Sequence, residues 1–379
     1  MLNIGNLVPA SYMKFGSTGP TYHYIWAATS KSNTISGMLI STDGINFVKK
    51  AASITSGSTC PWLGFNKSAK AIVKINCSTS QTYSYSITNN NITTHTMASK
   101  PTGDVNILGF GPYITYDNKR GYWETVYPGS STTYGGTVGR NNTAYMTSNG
   151  ASSAKKLNTT STNYTPIPGD KGNLFVCPLN NTSYAYYLPS NQNFTSGTYT
   201  NKWSGLNTAL SNAGISNKKI LCGHYMPGVG FVFMFYTGVA IYNEDNNTWS
   251  ANTVSWNFST SYNGNPQMMC YEPKKQRLYA LSLPSDGYVH VYYTENGTSW
   301  SALGTFNTSR ACSNGGNNYK KSIAASDTCV IVCGAQSDYA LYQYSNNTWT
   351  KNSGLSFSGG DSDFADNNYN IIYCFAYTD

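Results

Sequence analysis

A turn recurs through this chain about every 50 residues, and it constrains the fold more than any other feature. Its clearest copies are Thr294-Glu295-Asn296-Gly297-Thr298-Ser299-Trp300, Asp245-Asn246-Asn247-Thr248-Trp249 and Ser345-Asn346-Asn347-Thr348-Trp349. Each follows a Tyr-rich alternating run and ends in Trp. Earlier copies are Ser41-Thr42-Asp43-Gly44-Ile45-Asn46-Phe47, Thr88-Asn89-Asn90-Asn91, Ser148-Asn149-Gly150 and Thr200-Asn201-Lys202-Trp203. One reference residue per turn falls at 43, 89, 149, 201, 246, 296 and 346, with steps of 46, 60, 52, 45, 50 and 50. A period of this size in a strand-rich chain points to a propeller of four-stranded blades. Asn-Gly and Asp-Gly suit a tight hairpin whose two central residues need positive φ.

A second series lies between the long turns: Gly64-Phe65-Asn66-Lys67-Ser68, Thr115-Tyr116-Asp117-Asn118-Lys119, Pro178-Leu179-Asn180-Asn181-Thr182, Tyr225-Met226-Pro227-Gly228, Tyr271-Glu272-Pro273-Lys274, Ala325-Ser326-Asp327-Thr328 and Ala365-Asp366-Asn367-Asn368. The two series together predict an all-β, seven-bladed β-propeller, with six or eight blades as the alternatives. The C-terminal run Ile371–Ala376 is expected to join the N-terminal hairpin and close the ring, which removes open sheet edges. Tyr22–Ala28 also reads as a strand, so the closing blade has one strand too many and its second position stays open. Residues 1–20 read as a leader and 21–379 as one propeller domain; a short helix is expected around Leu206–Leu210 within 203–217.

Composition narrows the function. Charged residues make up 11% of the chain, well under the usual quarter. Asn (43) and Tyr (32) fill much of the gap, which describes a neutral, aromatic, hydrogen-bonding surface. The net charge of +8 is scattered in short clusters such as Lys274-Lys275, so a nucleic-acid partner is not expected. No window of 18 apolar residues occurs, and the N-terminal nine residues lack the features of a signal peptide; membrane insertion is not expected. Of nine cysteines, Cys77, Cys177, Cys222, Cys270, Cys329, Cys333 and Cys374 sit in apolar strand runs, which reads as reduced thiols in a protein folded in a cytoplasm. No ligand spacing suggests a metal, and no cofactor is expected.

The Asp43 turn resembles the Asp-box hairpin of sialidase-like (BNR-type) propellers, and Glu295–Trp300 is a looser copy. The resemblance implies a β-propeller in which Phe47, Trp203, Trp249, Trp300 and Trp349 pack between strands. It does not carry sialidase activity: the only arginines are Arg120, Arg140, Arg277 and Arg310, and none precedes the first box-like turn. A bidentate Arg clamp is hard to replace with Lys. The composition also resembles that of bacteriophage tail and fibre proteins. That likeness implies a virion location, assembly in the host cytoplasm, several copies per particle, and contact with other virion proteins through residues 1–20.

The step of 60 in the third repeat exceeds its neighbours, and the surplus Tyr122–Gly136 reads as an inserted loop where function tends to sit. Candidate ligand-binding residues are Trp123, Glu124, Tyr127 and Tyr134, with Tyr116 nearby. Aromatic rings with neutral amides and hydroxyls suit a sugar. Most acids fall in turns, where they cap local backbone, and no catalytic residue is assigned. The expected function is recognition of a host surface polysaccharide or glycan without catalysis. A structural component docking other virion proteins is the first alternative, and a glycan-cleaving propeller enzyme the second.

Overall fold

A computed structural model describes residues 24–29, 38–41, 48–50, 63–66, 68–76, 81–89, 91–96, 113–117, 122–127, 137–141, 154–156, 164–178, 182–192, 197–256, 268–282, 288–307, 322–333, 341–352 and 373–378. The strands pair into seven four-stranded antiparallel sheets. Sheet I takes Tyr373–Thr378, Tyr24–Thr29, Met38–Ser41 and Val48–Lys50, in that order. Sheet II is Leu63–Asn66, Ala71–Asn76, Gln81–Ser86 and Asn91–Thr96; sheet III is Tyr113–Asp117, Tyr122–Tyr127, Thr137–Asn141 and Ala154–Lys156. Sheet IV is Tyr164–Pro168, Leu174–Pro178, Tyr186–Leu188 and Thr200–Asn201. Sheet V is Cys222–Met226, Gly230–Phe235, Gly238–Asn243 and Thr248–Thr253. Sheet VI is Met269–Glu272, Arg277–Ser282, Tyr288–Thr294 and Ser301–Asn307; sheet VII is Ser322–Ala325, Val330–Cys333, Leu341–Ser345 and Thr348–Asn352.

The expectation of seven blades is corrected, whereas the C-terminal run does pair with the N-terminal hairpin as expected. Five blades of four strands have described side chains that pack as a propeller does: II, IV, V, VI and VII. Sheets I and III are described by backbone pairing alone. A turn signature reports a hairpin, whereas a blade is defined by apolar faces packed against its neighbours, and turn counting cannot distinguish the two. Within sheet I, Tyr24–Thr29 takes the second position, between Tyr373–Thr378 and Met38–Ser41, which resolves the surplus strand. The leader 1–20 and the turns at Asp43 and Asn367 lie outside the described residues.

The blade core follows from the sequence. In blade V the two middle strands are covered on both faces and carry continuous apolar runs rather than alternation. Phe231-Val232-Phe233-Met234-Phe235 and Val239-Ala240-Ile241-Tyr242 are all buried. The fourth strand, Thr248–Thr253, is mostly exposed and polar. One cluster joins sheets V, VI and VII through Val232, Met234, Leu278, Ala280, Ile323 and Val332; another joins sheets IV and V to the helix through Phe175, Phe231, Phe233, Leu206 and Leu210. First strands of IV, V, VI and VII touch in succession. Cys177, Cys222 and Cys329 are buried, and burial pushes the Cys222 thiol up to about 12.

Two elements depart from expectation. The sequence Asn158–Asp170 reads as a loose stretch linking blades three and four, yet Tyr164–Pro168 within it is the first strand of sheet IV. Its Pro166 and Pro168 are tolerated because this strand has a partner on one side only, so the missing N–H groups cost little ladder. The expected turn at Thr200–Trp203 is instead a two-residue strand followed by the helix Trp203–Asn212, which buries Leu206 and Leu210. Among the described residues, no helix is long and apolar enough to cross a membrane.

Candidate functional site

The seam between blades VI and VII holds a cleft of about 510 Å³. Turns joining first to second strands and third to fourth strands border it, so it opens at one end of the blades. On the blade VI side, Glu272 is fully buried, and its two carboxylate oxygens accept the backbone N–H groups of Lys274 (2.9 Å) and Lys275 (2.6 Å). This acid is a turn clamp, as the sequence suggested for acids in short turns. Gln276 completes the turn at φ 55°. Arg277 then opens the second strand. Its Nε and Nη2 both reach Glu295 Oε1 at 2.8 Å, and its guanidinium lies 4.4 Å from the centre of the half-buried Tyr293 ring. Tyr279 forms the floor at 2% exposure, where burial pushes its hydroxyl up to about 12.

Blade VII supplies the opposite wall. Ser326 Oγ accepts the N–H groups of Thr328 (3.2 Å) and Cys329 (3.0 Å), which folds the first turn. Asp327 pairs across the seam with Lys274. Asn346 and Asn347 form a two-residue hairpin with φ 51° and 62°. Tyr344 is half-buried, and its hydroxyl donates to Asn347 Oδ1 at 3.4 Å. A register shift opposite Val291 and Tyr292 bulges the fourth strand of blade VI and turns Ala302 and Leu303 toward the cleft. Gly304 closes that bulge at φ 133°, and a Cβ there would sit 2.8 Å from Trp349 Nε1.

Two half-exposed tyrosines, two turn amides, hydroxyls and one ammonium group therefore face one space. That inventory stacks on and hydrogen-bonds a polar ring. Both rim carboxylates, Asp327 and Glu295, already hold cations. Glycoside cleavage needs one carboxyl group as acid and a second free to activate water or attack.

The seam between blades IV and V is built from the same parts, but its cations and rings engage one another. Its cleft measures about 440 Å³. Lys171 binds Glu244 (3.2 Å) and Asp245 (2.6 Å). The other oxygen of Glu244 accepts from Tyr187 Oη (3.0 Å) and from the Asn173 amide. Lys202 donates to Asn247 Oδ1 (2.8 Å) and lies over the Tyr187 and Tyr242 rings at 5.9 and 5.8 Å. Those rings are 6% and 2% exposed. Burial raises both phenols, Tyr242 to about 12. The ring faces here are covered by the chain's own lysine.

The residues singled out in sequence lie elsewhere. Trp123, Glu124 and Tyr127 belong to the strand Tyr122–Tyr127 of sheet III, so this part of the surplus is not loop. Its aromatic and β-branched content is strand-forming. In backbone register, Tyr116 faces Trp123, and Glu124 lies between Thr115 and Arg140. Tyr134 is outside the described residues. Lys275, Tyr293, Tyr344 and Asn347 were missed as site residues. For Tyr293, Tyr344 and Asn347 the signal lies in the Tyr-rich strand and the Asn turn after it, which the sequence reading gives to the scaffold alone; Lys275 shows only as one of the Lys274-Lys275 pair. Two of the described histidines are turned to local groups: His95 Nε2 bonds Ser84 Oγ at 2.6 Å, His224 Nδ1 bonds the Tyr225 carbonyl at 2.7 Å, and burial lowers both. Among the described residues, no three His, Cys, Asp or Glu side chains gather to hold a metal.

No protein-family model matches the sequence. No curated protein matches it either. Solved structures do resemble the fold. A functionally unknown protein from Desulfotomaculum acetoxidans superposes with a TM-score of 0.55 at 10% identity, over 88% of this chain and 97% of that one. A protein from Bacteroides fragilis provisionally called a 6-phosphogluconolactonase gives 0.54 at 12% identity, over 89% and 95%. A protein from Lactobacillus plantarum gives 0.53 at 9% identity, over 87% and 95%. At such identities the likeness concerns the fold alone, and with the sheet topology it supports a β-propeller.

Proposed function

We propose that this chain is a non-catalytic carbohydrate-binding propeller, a virion-borne adhesion protein that holds a host surface glycan in the cleft between blades VI and VII. The observation that carries this reading is the pair of half-exposed rings, Tyr293 and Tyr344, set beside the Asn346-Asn347 turn in one cleft. Rings give contact area at low entropic cost, and amides meet hydroxyls at a sugar's edge. The low charge of the chain and its Asn, Tyr, Ser and Thr content support the adhesion role. A shallow site gives weak single contacts, and several copies on a particle would raise avidity. Residues 1–20 would attach the propeller to other virion proteins.

The test is a glycan array probed with the full chain and with Asn347→Gly. Glycine keeps the positive φ that the turn needs and removes only the amide. The reading expects a defined subset of glycans to bind the wild type and to weaken at least about fivefold in the variant, the order of a lost hydrogen bond. No glycan retained, or binding indifferent to Asn347→Gly, contradicts it. Loss in Trp123→Ala with Asn347→Gly unaffected would move the site to sheet III.

A further inference from the structure

We propose that the cleft between blades VI and VII selects saccharides that carry a single carboxylate, with Lys275 as the specificity-determining residue; the inference rests on the glycan-binding reading of that cleft. The argument is one of ion pairing. Arg277 is held by Glu295, and Lys274 by Asp327. Lys275 lines the same cleft, is exposed, and among the described residues its ammonium has no anionic or hydrogen-bonding partner. Its placement is fixed from behind, because its backbone N–H is clamped by the buried Glu272. The cleft therefore presents one ammonium without a salt-bridge partner beside two aromatic walls, while the Glu272 carboxylate behind it is turned to the backbone N–H groups of Lys274 and Lys275.

The seam between blades IV and V provides an internal contrast. Lys171 there is matched by Glu244 and Asp245, and Lys202 is spent on Asn247 and on the two rings below it. The same architecture thus has one seam with its lysines engaged and its rings buried, and one with a spare ammonium and rings only partly buried, Arg277 covering one side of Tyr293. A monoanion complements the spare charge. A dianion such as a phosphate monoester would meet the rim carboxylates of Asp327 and Glu295 with charge left over, which selects against it. The guanidinium that would favour planar bidentate recognition is already occupied, so Lys275 acts as a point charge.

The experiment is ligand-observed NMR titration of the full chain with galacturonate and with sialyllactose, each beside its own methyl ester, so that charge is the main variable. For at least one of the two sugars, the acid form should bind about two- to fivefold tighter than its ester, the range for a solvent-exposed ion pair. The preference should shrink at high salt. Lys275→Gln should abolish the preference, Lys275→Arg should keep it, and Lys202→Gln in the other seam should not alter it. Equal binding of acid and ester by the wild type, or a preference that survives Lys275→Gln, overturns the inference while leaving glycan binding intact. Binding of neither form by the wild type overturns the inference and counts against the glycan reading with it.

Discussion

Asn346 and Asn347 show how a residue type sets a site. Both central positions of this hairpin lie at positive φ, which asparagine tolerates and alanine does not. Asn347→Ala should cost about 1–2 kcal/mol in urea unfolding, whereas Asn347→Gly should be close to neutral. Gly304 is a sharper case. Its φ of 133° and its approach to Trp349 leave no room for a methyl group at the seam. Gly304→Ala should lower stability by about 1–3 kcal/mol, read as a shifted denaturation midpoint. The Asn turn could be read in the sequence because turn chemistry is local. The isolation of Lys275 could not, because it depends on Lys274 reaching Asp327, which lies 53 positions away.

Among elements, the fourth strands do more than close hairpins. Trp249 packs against Phe175, Phe233 and Tyr242 at ring separations of 5.8, 5.4 and 5.0 Å, and thereby ties blade V to blade IV. The helix Trp203–Asn212 lies against the same ring, and a Cβ at Gly205 would come within 2.8 Å of it. Trp249→Ala should cost about 3–5 kcal/mol, measured by thermal or denaturant unfolding. The structural role expected for Trp249, Trp300 and Trp349 agrees with their packing on described clusters. Trp203 packs too, but from a helix rather than a strand. That helix was legible from Leu206 and Leu210 at four-residue spacing. The strand Tyr164–Pro168 was not, because two prolines hide a strand unless its one-sided pairing is known. The strand at Tyr122 was mistaken for loop because its length was judged by turn spacing rather than by residue type.

At the scale of the molecule, hydroxyl burial governs the response to alkali. Tyr242 and Tyr279 are pushed up to about 12, chiefly by burial, and Tyr187 and Tyr225 are raised by burial together with their bonds to Glu244 and Asp170. Unfolded tyrosines ionise near pH 10. Below that value both states are neutral and the full stability is present. As pH rises from about 10 toward 12, only the unfolded state loses protons, so stability falls. Urea midpoints measured along that range should drop, with tyrosinate absorbance appearing together with unfolding. Tyrosinate absorbance rising near pH 10 in the folded protein for all tyrosines would contradict the buried network. The period of the turns made the propeller class legible at this scale. The packed blade count was not, because it is a property of faces meeting across sequence distances that no turn records.

The most direct measurement of the central claim is hydrogen–deuterium exchange of the full chain with and without a glycan that it retains on an array. The account predicts protection confined to peptides spanning 273–277, 326–328 and 345–348. Protection at 122–127, at the seam formed by 170–172 and 244–247, or at none of these segments would contradict it.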